Sequence, residues 1–292
     1  MTGRAEAIRW RVLFGMLGVW LLLCDAGAAP GADAQQTLII GLTPVFLDDR
    51  VAFLRKWESY LEGRLARPVR FVQRQTYREV TDLVVGGSID AAWLCGFPYV
   101  RFSERLRLLA VPLYNGEPLY QSYVIVASSD ESTRSIDALQ GKVFAYSDPD
   151  SNSGFLAPRV TLHRAGYLPD RFFGRTFFTW SHKNVVIAVA EGLAHGGAVD
   201  GYVWETLKLQ QPALVARTRV VQKSELFGFP PLVTRQDMNE QDFHRLRKAF
   251  AEMNSDANGQ SLLEDLNLDG FVPGDASLFD SIRLNAALPL GH

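Results

Sequence analysis

Cysteine is almost missing from this chain: 292 residues hold two, Cys24 and Cys95. A disulfide-stapled scaffold is therefore excluded, and stability must rest on an apolar core. Basic blocks are missing too. Thirty Lys and Arg stand against 32 Asp and Glu, for a net charge of −2, and no basic-aromatic stripe interrupts the mixture. Nucleic-acid binding loses its electrostatic footing. Only one long apolar run occurs, Val12 to Cys24, well short of the roughly 20 residues a membrane span needs. His163, His182, His195 and His244 are scattered without metal-ligand spacing. Gly192, Gly196 and Gly197 form no phosphate loop, and no Gly-x-Ser-x-Gly elbow occurs. These absences point away from an enzyme, a metal site and a bound cofactor.

What is present begins with a leader. Arg4, Arg9 and Arg11 precede the apolar run, and Ala26-Gly27-Ala28 or Ala32-Asp33-Ala34 offers a cleavage site. This is the layout of a secretory signal peptide over residues 1–34, with an uncleaved anchor as the alternative. Leu21-Leu22-Leu23 before Cys24 lacks the small residue that lipid attachment prefers, so no lipid anchor is expected. Cleavage after Ala34 leaves 258 residues, enough for one or two domains with a full core. The expected location is the periplasm. Cys95 is then the sole thiol, either a packing residue or a functional one.

The mature chain alternates strand-like and helix-like runs. Thr37–Leu42, Pro68–Val72, Ile89–Leu94, Leu108–Leu113, Tyr120–Ser128, Gly141–Tyr146, Arg175–Thr179, Ala198–Val203 and Val215–Val221 read as strands. Arg50–Arg64, Tyr77–Val85, Tyr99–Arg105, Phe155–Ala165, Asn184–Leu193 and Asp237–Met253 read as helices. Such alternation predicts an α/β fold with helices on both faces of parallel sheets, and ligands beyond the carboxyl ends of strands. Two clusters stand at those ends: Ser151-Asn152-Ser153-Gly154 and Thr179-Trp180-Ser181-His182. Each closes a strand and opens a helix, gathering backbone N–H groups, hydroxyls and a positive helix end around one point. Local N-capping explains either cluster alone. Together, with a histidine in one, they read as a site for a small oxyanion.

Three stretches carry a family resemblance. Asp90-Ala91-Ala92-Trp93 with Phe97-Pro98-Tyr99, the run Asp148 to Pro158, and Ser181-His182 with Ala188-Val189-Ala190 and Val199-Asp200 resemble the phosphate/phosphite/phosphonate substrate-binding proteins of ABC transporters. The likeness extends from about Leu38 to about Asp280. It implies a bilobal periplasmic-binding-protein fold, two α/β lobes joined by crossover strands near Leu113–Tyr123 and Leu226–Val233. Lobe one would be 35–117 plus 223–292 and lobe two 118–222. It implies a monomer that holds a small oxyanion through Ser151, Asn152, Ser153 and His182. Tyr77 would stand near a first-lobe tyrosine, and Leu94 to Phe97 would line the opposite wall. The ligand would pass to an ABC permease.

Two positions depart from that pattern. Tyr202 and Phe229 fall where relatives that bind aminoalkylphosphonates carry acidic side chains. Neither can pair an ammonium, so a smaller or more apolar-tailed anion is expected, although a slip of two or three positions would bring in Asp200 or Glu205. Cys95 stands in the turn that faces the cleft. A soft sulfur there suggests the alternative function, a periplasmic sensor, possibly of arsenite, that signals to a histidine kinase.

Overall fold

Five strands in the first third and at the end of the chain, with one from the middle, build a six-stranded sheet. The computed structural model describes residues 36–45 and 50–290; the leader read over 1–34 lies outside them. In chain order the elements are β1 (Leu38–Leu42), α1 (Val51–Leu65), β2 (Val69–Gln73), α2 (Tyr77–Val85), β3 (Ala91–Trp93), α3 (Gly96–Arg101) and β4 (Leu106–Leu113). The chain then enters β5 (Leu119–Ala127), β6 (Val143–Tyr146), α4 (Ala157–Arg164), α5 (Pro169–Phe172), β7 (Arg175–Phe178), α6 (His182–Ala190), β8 (Gly196–Asp200), α7 (Gly201–Gln210), α8 (Pro212–Val215) and β9 (Thr218–Gly228). It ends with β10 (Leu232–Arg235), α9 (Glu240–Ala251), α10 (Ala257–Leu266), β11 (Gly270–Pro273) and α11 (Asp280–Ala286).

The strands sort into two sheets. One has six strands in the order β11-β4-β10-β3-β1-β2, the other five in the order β7-β6-β8-β5-β9. In the first, β1 pairs in parallel with β2 and β3, and β10 runs antiparallel to β3 and β4. In the second, β6 pairs in parallel with β7 and β8, and β5 runs antiparallel to β8 and β9. The parallel strands β1, β3, β6 and β8 are short and almost wholly buried, as strands covered on both faces by helices must be. Gly196 and Gly197 in β8 are demanded by close approach: a Cβ on Gly197 would press on Val185 of α6 at 2.5 Å.

The chain passes between the sheets twice, from β4 to β5 and from β9 to β10. The two passages lie side by side, joined by the hydrogen bond from Phe229 N–H to the Pro118 carbonyl at 2.9 Å. Helix boundaries follow local chemistry. Thr76 and Glu79 form a capping box at the start of α2, and Gly86 follows its end. Asn239 caps α9, whose Phe243, Leu246, Ala249 and Phe250 are buried. Trp57 of α1 is fully buried against Phe71, Trp93 and Phe250, which ties α1 to both the sheet and α9. No helix among the described residues is long and apolar enough to cross a membrane.

Candidate functional site

Four strand ends converge. Thr43 follows β1, Cys95 follows β3, the Ser151 loop follows β6, and Asp200 closes β8. Between them lies a small cavity bordered by Leu42, Thr43, Val45, Tyr77, Trp93, Cys95, His182, Asp200, Tyr202, Phe229 and Pro230. It offers about 30 Å³ to the centre of a water-sized sphere, space for roughly two waters or one compact ion. Its walls come from both sheets. Leu42, Thr43, Tyr77, Trp93 and Cys95 come from the strands and helices of the first; His182, Asp200 and Tyr202 come from those of the second.

His182 opens α6 and is 1 % exposed. Its Nδ1 accepts the backbone N–H of Asp200 at 3.1 Å. That bond leaves the proton of the neutral ring on Nε2, which lies 3.5 Å from Ser151 Oγ. Burial pushes the histidine down to about 3, so the ring is neutral near pH 7 and acts as an N–H donor without a full charge. Trp180, with φ at +63°, turns the chain just before it. A bulky residue in the left-handed region is uncommon, and here it redirects β7 into α6.

The Ser151 loop sits one layer behind the cavity. Ser151, Asn152 and Ser153 are fully buried and none of them borders the cavity. Ser151 Oγ accepts the Gly154 N–H at 2.9 Å, which starts a π-helical turn, Asn152–Leu156. The Asn152 backbone N–H donates to Cys95 Sγ at 3.2 Å, and its side-chain amide donates to the Tyr120 hydroxyl at 3.0 Å. Ser147 Oγ and Asn152 Oδ1 are buried without a partner among the described residues, and Ser153 Oγ has none of good geometry, with Tyr120 beside it. Buried polar atoms left without a partner are costly. Gly154 has no room for a side chain: a Cβ there would strike Ser147 Oγ and meet His182 Cε1 at 3.0 Å.

The other expected residues divide. Tyr77 borders the cavity, its ring edge-on to His182 with centroids 6.4 Å apart. Its backbone N–H goes to Asp148 Oδ2 at 3.0 Å. Tyr202 and Phe229 form an aromatic wall, 4.9 Å between centroids, with the Tyr202 hydroxyl turned away to the Leu266 carbonyl. Leu94 is expected at the wall but lies in the core, with its N–H bonded to the Pro231 carbonyl. The strand alternation of β3 explains this, since Trp93 and Cys95 take the cavity side and Leu94 the other. Thr43, Trp93 and Asp200 border the cavity as well, beyond the site residues expected from the sequence. Their signal was positional: each stands at or just beyond the carboxyl end of a parallel strand.

Cys95 is buried and is the one free cysteine among the described residues. Burial pushes its thiol up to about 11, so it is protonated near pH 7. The arsenite-sensor alternative finds no support.

Two α/β sheets joined by paired crossings, with a small cavity at the facing strand ends, define a bilobal solute-binding protein. The family model described as "ABC transporter, phosphonate, periplasmic substrate-binding protein" matches residues 40–279, and the chain belongs to that family. Its members are binding components of transporters and not enzymes. The phosphate-import protein PhnD of Mycolicibacterium smegmatis is 25 % identical over 242 residues, which cover 79 % of this chain and 73 % of the relative. A binding-protein component of an ABC phosphonate transporter from Pseudomonas aeruginosa superposes with a TM-score of 0.80 at 22 % identity, over 86 % of each chain. PhnD1 of Prochlorococcus marinus, solved with methylphosphonate, gives a TM-score of 0.77 at 18 % identity, over 86 % of this chain and 97 % of that one.

Proposed function

We propose that this protein captures one small tetrahedral oxyanion of the phosphonate, phosphite or phosphate class in the periplasm and delivers it to an ABC permease. The observation that carries this reading is the His182 ring at the cavity wall, held by the Asp200 N–H in the tautomer that leaves Nε2–H as a donor beside Ser151 Oγ. Neutral N–H and O–H donors in a buried site hold an anion without needing a counter-charge. His182 would meet the ligand directly, with the buried Ser151, Asn152 and Ser153 as a second layer of donors behind it, Tyr77 and Cys95 opposite, Leu94 in the core behind them, and Tyr202 and Phe229 as the apolar wall. Relatives that import phosphate or bind methylphosphonate bracket the ligand class. The cavity size favours phosphite, phosphate or methylphosphonate over a long-tailed phosphonate.

Capture works by hinge closure. Residues 35–117 with 223–292 form one lobe and 118–222 the other, and ligand contacts favour the closed arrangement. The protein acts as a monomer and does not engage nucleic acid. The test is calorimetry on chain 35–292 with phosphate, phosphite, methylphosphonate and 2-aminoethylphosphonate. One-to-one binding of at least one of the first three is the expected result. Heat from none of them overturns the reading.

A further inference from the structure

The cavity has no cation. None of its described lining residues is Lys or Arg, yet it includes the carboxyl-bearing Asp200, 3 % exposed. Resting on the oxyanion reading above, we propose that Asp200 binds the ligand as the protonated acid, so that each captured dianion brings one proton with it.

The groups around Asp200 leave little alternative. On its own helix stands Tyr202, and α6 contributes His182, which is neutral. From α2 comes Tyr77, from the start of α3 Cys95, from β5 Tyr120, and from the β4–β5 passage Tyr114; all are neutral, and each feels the Asp200 carboxylate as a repulsive charge. Asp148, after β6, adds a second acid to the field at Tyr77 and Cys95. Outside this shell, Arg50 acts on Tyr202 but is paired with Asp265 at 3.3 Å, and Lys223 lies over the Tyr123 ring at 4.6 Å, near Glu205. Only two backbone N–H groups, of Tyr202 and Val203, favour the ionised form of Asp200. Burial outweighs them and pushes the carboxyl up to about 7.

An ionised Asp200 facing a dianion in so small and dry a space would repel it strongly. A protonated Asp200 instead donates an O–H to the ligand, a short charge-assisted bond. Affinity is then linked to proton uptake. It should be highest below Asp200's own midpoint and fall as pH rises through it, by up to about tenfold per unit.

Asp200→Asn is the informative variant. Asn is as good a cap for α7 as Asp, because its carbonyl oxygen can keep the bond from Val203 N–H. Its NH2 can donate where the acid did, and it does not titrate. Calorimetry with methylphosphonate and with phosphite, in buffers of different ionisation heat and from about pH 6 to about pH 9, counts the protons taken up. The ligand's own titration is common to both proteins, so the difference between them isolates Asp200. We expect wild type to take up one proton more than the variant at alkaline pH, and the variant to bind roughly tenfold tighter there. Equal uptake and parallel pH profiles would overturn the proposal while leaving the oxyanion reading intact. A variant that melts like wild type but binds at no pH would overturn it too. Wild type that binds neither anion would remove both.

Discussion

Arg78 grips Asp150 with a two-point fork, Nε to one carboxylate oxygen at 2.9 Å and Nη2 to the other at 3.0 Å. Arg101 adds a third contact at 2.8 Å. The arginines belong to α2 and α3, packed on the six-stranded sheet, while Asp150 precedes the Ser151 loop of the other sheet. Asp148 reinforces the join through the Tyr77 N–H. These bonds fasten the Ser151 loop to the opposite layer, and neither arginine nor Asp150 borders the cavity.

Asp150→Asn should therefore weaken anion binding without removing a ligand contact. Both arginines are about two-fifths exposed, so screening limits the loss to about 1–2 kcal/mol, or roughly tenfold in Kd. Calorimetry with methylphosphonate checks the affinity. X-ray scattering checks the mechanism: the variant's radius of gyration without ligand should exceed that of wild type. Unchanged affinity and radius would dismiss the latch.

The loop itself is sensitive at two points. Ser151→Ala removes the acceptor of the Gly154 N–H and a donor beside His182, and should cost about 1–3 kcal/mol of binding. Gly154→Ala forces a methyl into Ser147 and His182 and should destabilise the fold by about 1–3 kcal/mol. Urea melts separate the two, since Ser151→Ala should lose more affinity than stability and Gly154→Ala should lose both.

Much of this was legible in the sequence. Tyr77–Val85 reads as a helix and is α2, and the turn before His182 is marked by its hydroxyl-rich approach, Thr179-Trp180-Ser181. The partition at Asp200 was not. Ala198–Val203 reads as one apolar strand, but the chain becomes helical at Gly201 because Asp200 caps the Val203 N–H. A two-residue shift in that boundary decides which side chain meets the cavity, and apolar periodicity cannot resolve it. Beyond the crossing near Leu226–Val233 the sequence shows one clear helix pattern, Asp237–Met253, which holds α9. The segments α10, β11 and α11 are short, and their burial comes from tertiary packing against α1, β4 and α3 rather than from a repeating pattern. Leu94 lies in the core while Trp93 and Cys95 border the cavity, because successive residues of extended chain point to opposite faces.

His182 makes stability depend on pH. Its folded value, about 3, lies below its ordinary 6.5. The neutral form is favoured by folding, so its contribution is present above about 6.5 and is lost as pH falls toward 3. Asp200 runs the other way: raised from 3.8 to about 7, it contributes most below 3.8 and loses that contribution as pH rises. Between those limits the two oppose each other. Comparing wild type with His182→Asn isolates the histidine. The stability gap between them should shrink by up to about 1.4 kcal/mol per unit as pH falls from about 6.5 to about 5. Parallel curves in urea melts would contradict the buried neutral histidine.

Cys95 reports on opening. Its thiol is buried, pushed up to about 11 and bonded to the Asn152 N–H, so alkylation requires the two layers to part. Iodoacetamide should label it slowly in the folded protein, at the fast rate of a free thiol in urea, and more slowly still with saturating methylphosphonate. Labelling unaffected by the anion would mean that binding does not close the layer over Cys95. Cys95→Ser should keep the fold and most of the anion affinity, because the proposed donors, His182 and the Ser151 loop, lie on the other sheet's side.

A crystal structure of chain 35–292 grown with methylphosphonate tests the central claim most directly. Tetrahedral density should fill the cavity, with one oxygen within hydrogen-bond reach of His182 Nε2, another near the Ser151 loop, and the methyl group toward Tyr202 and Phe229. Density at another place, or a His182 ring turned so that Nδ1 no longer accepts the Asp200 N–H, would contradict it.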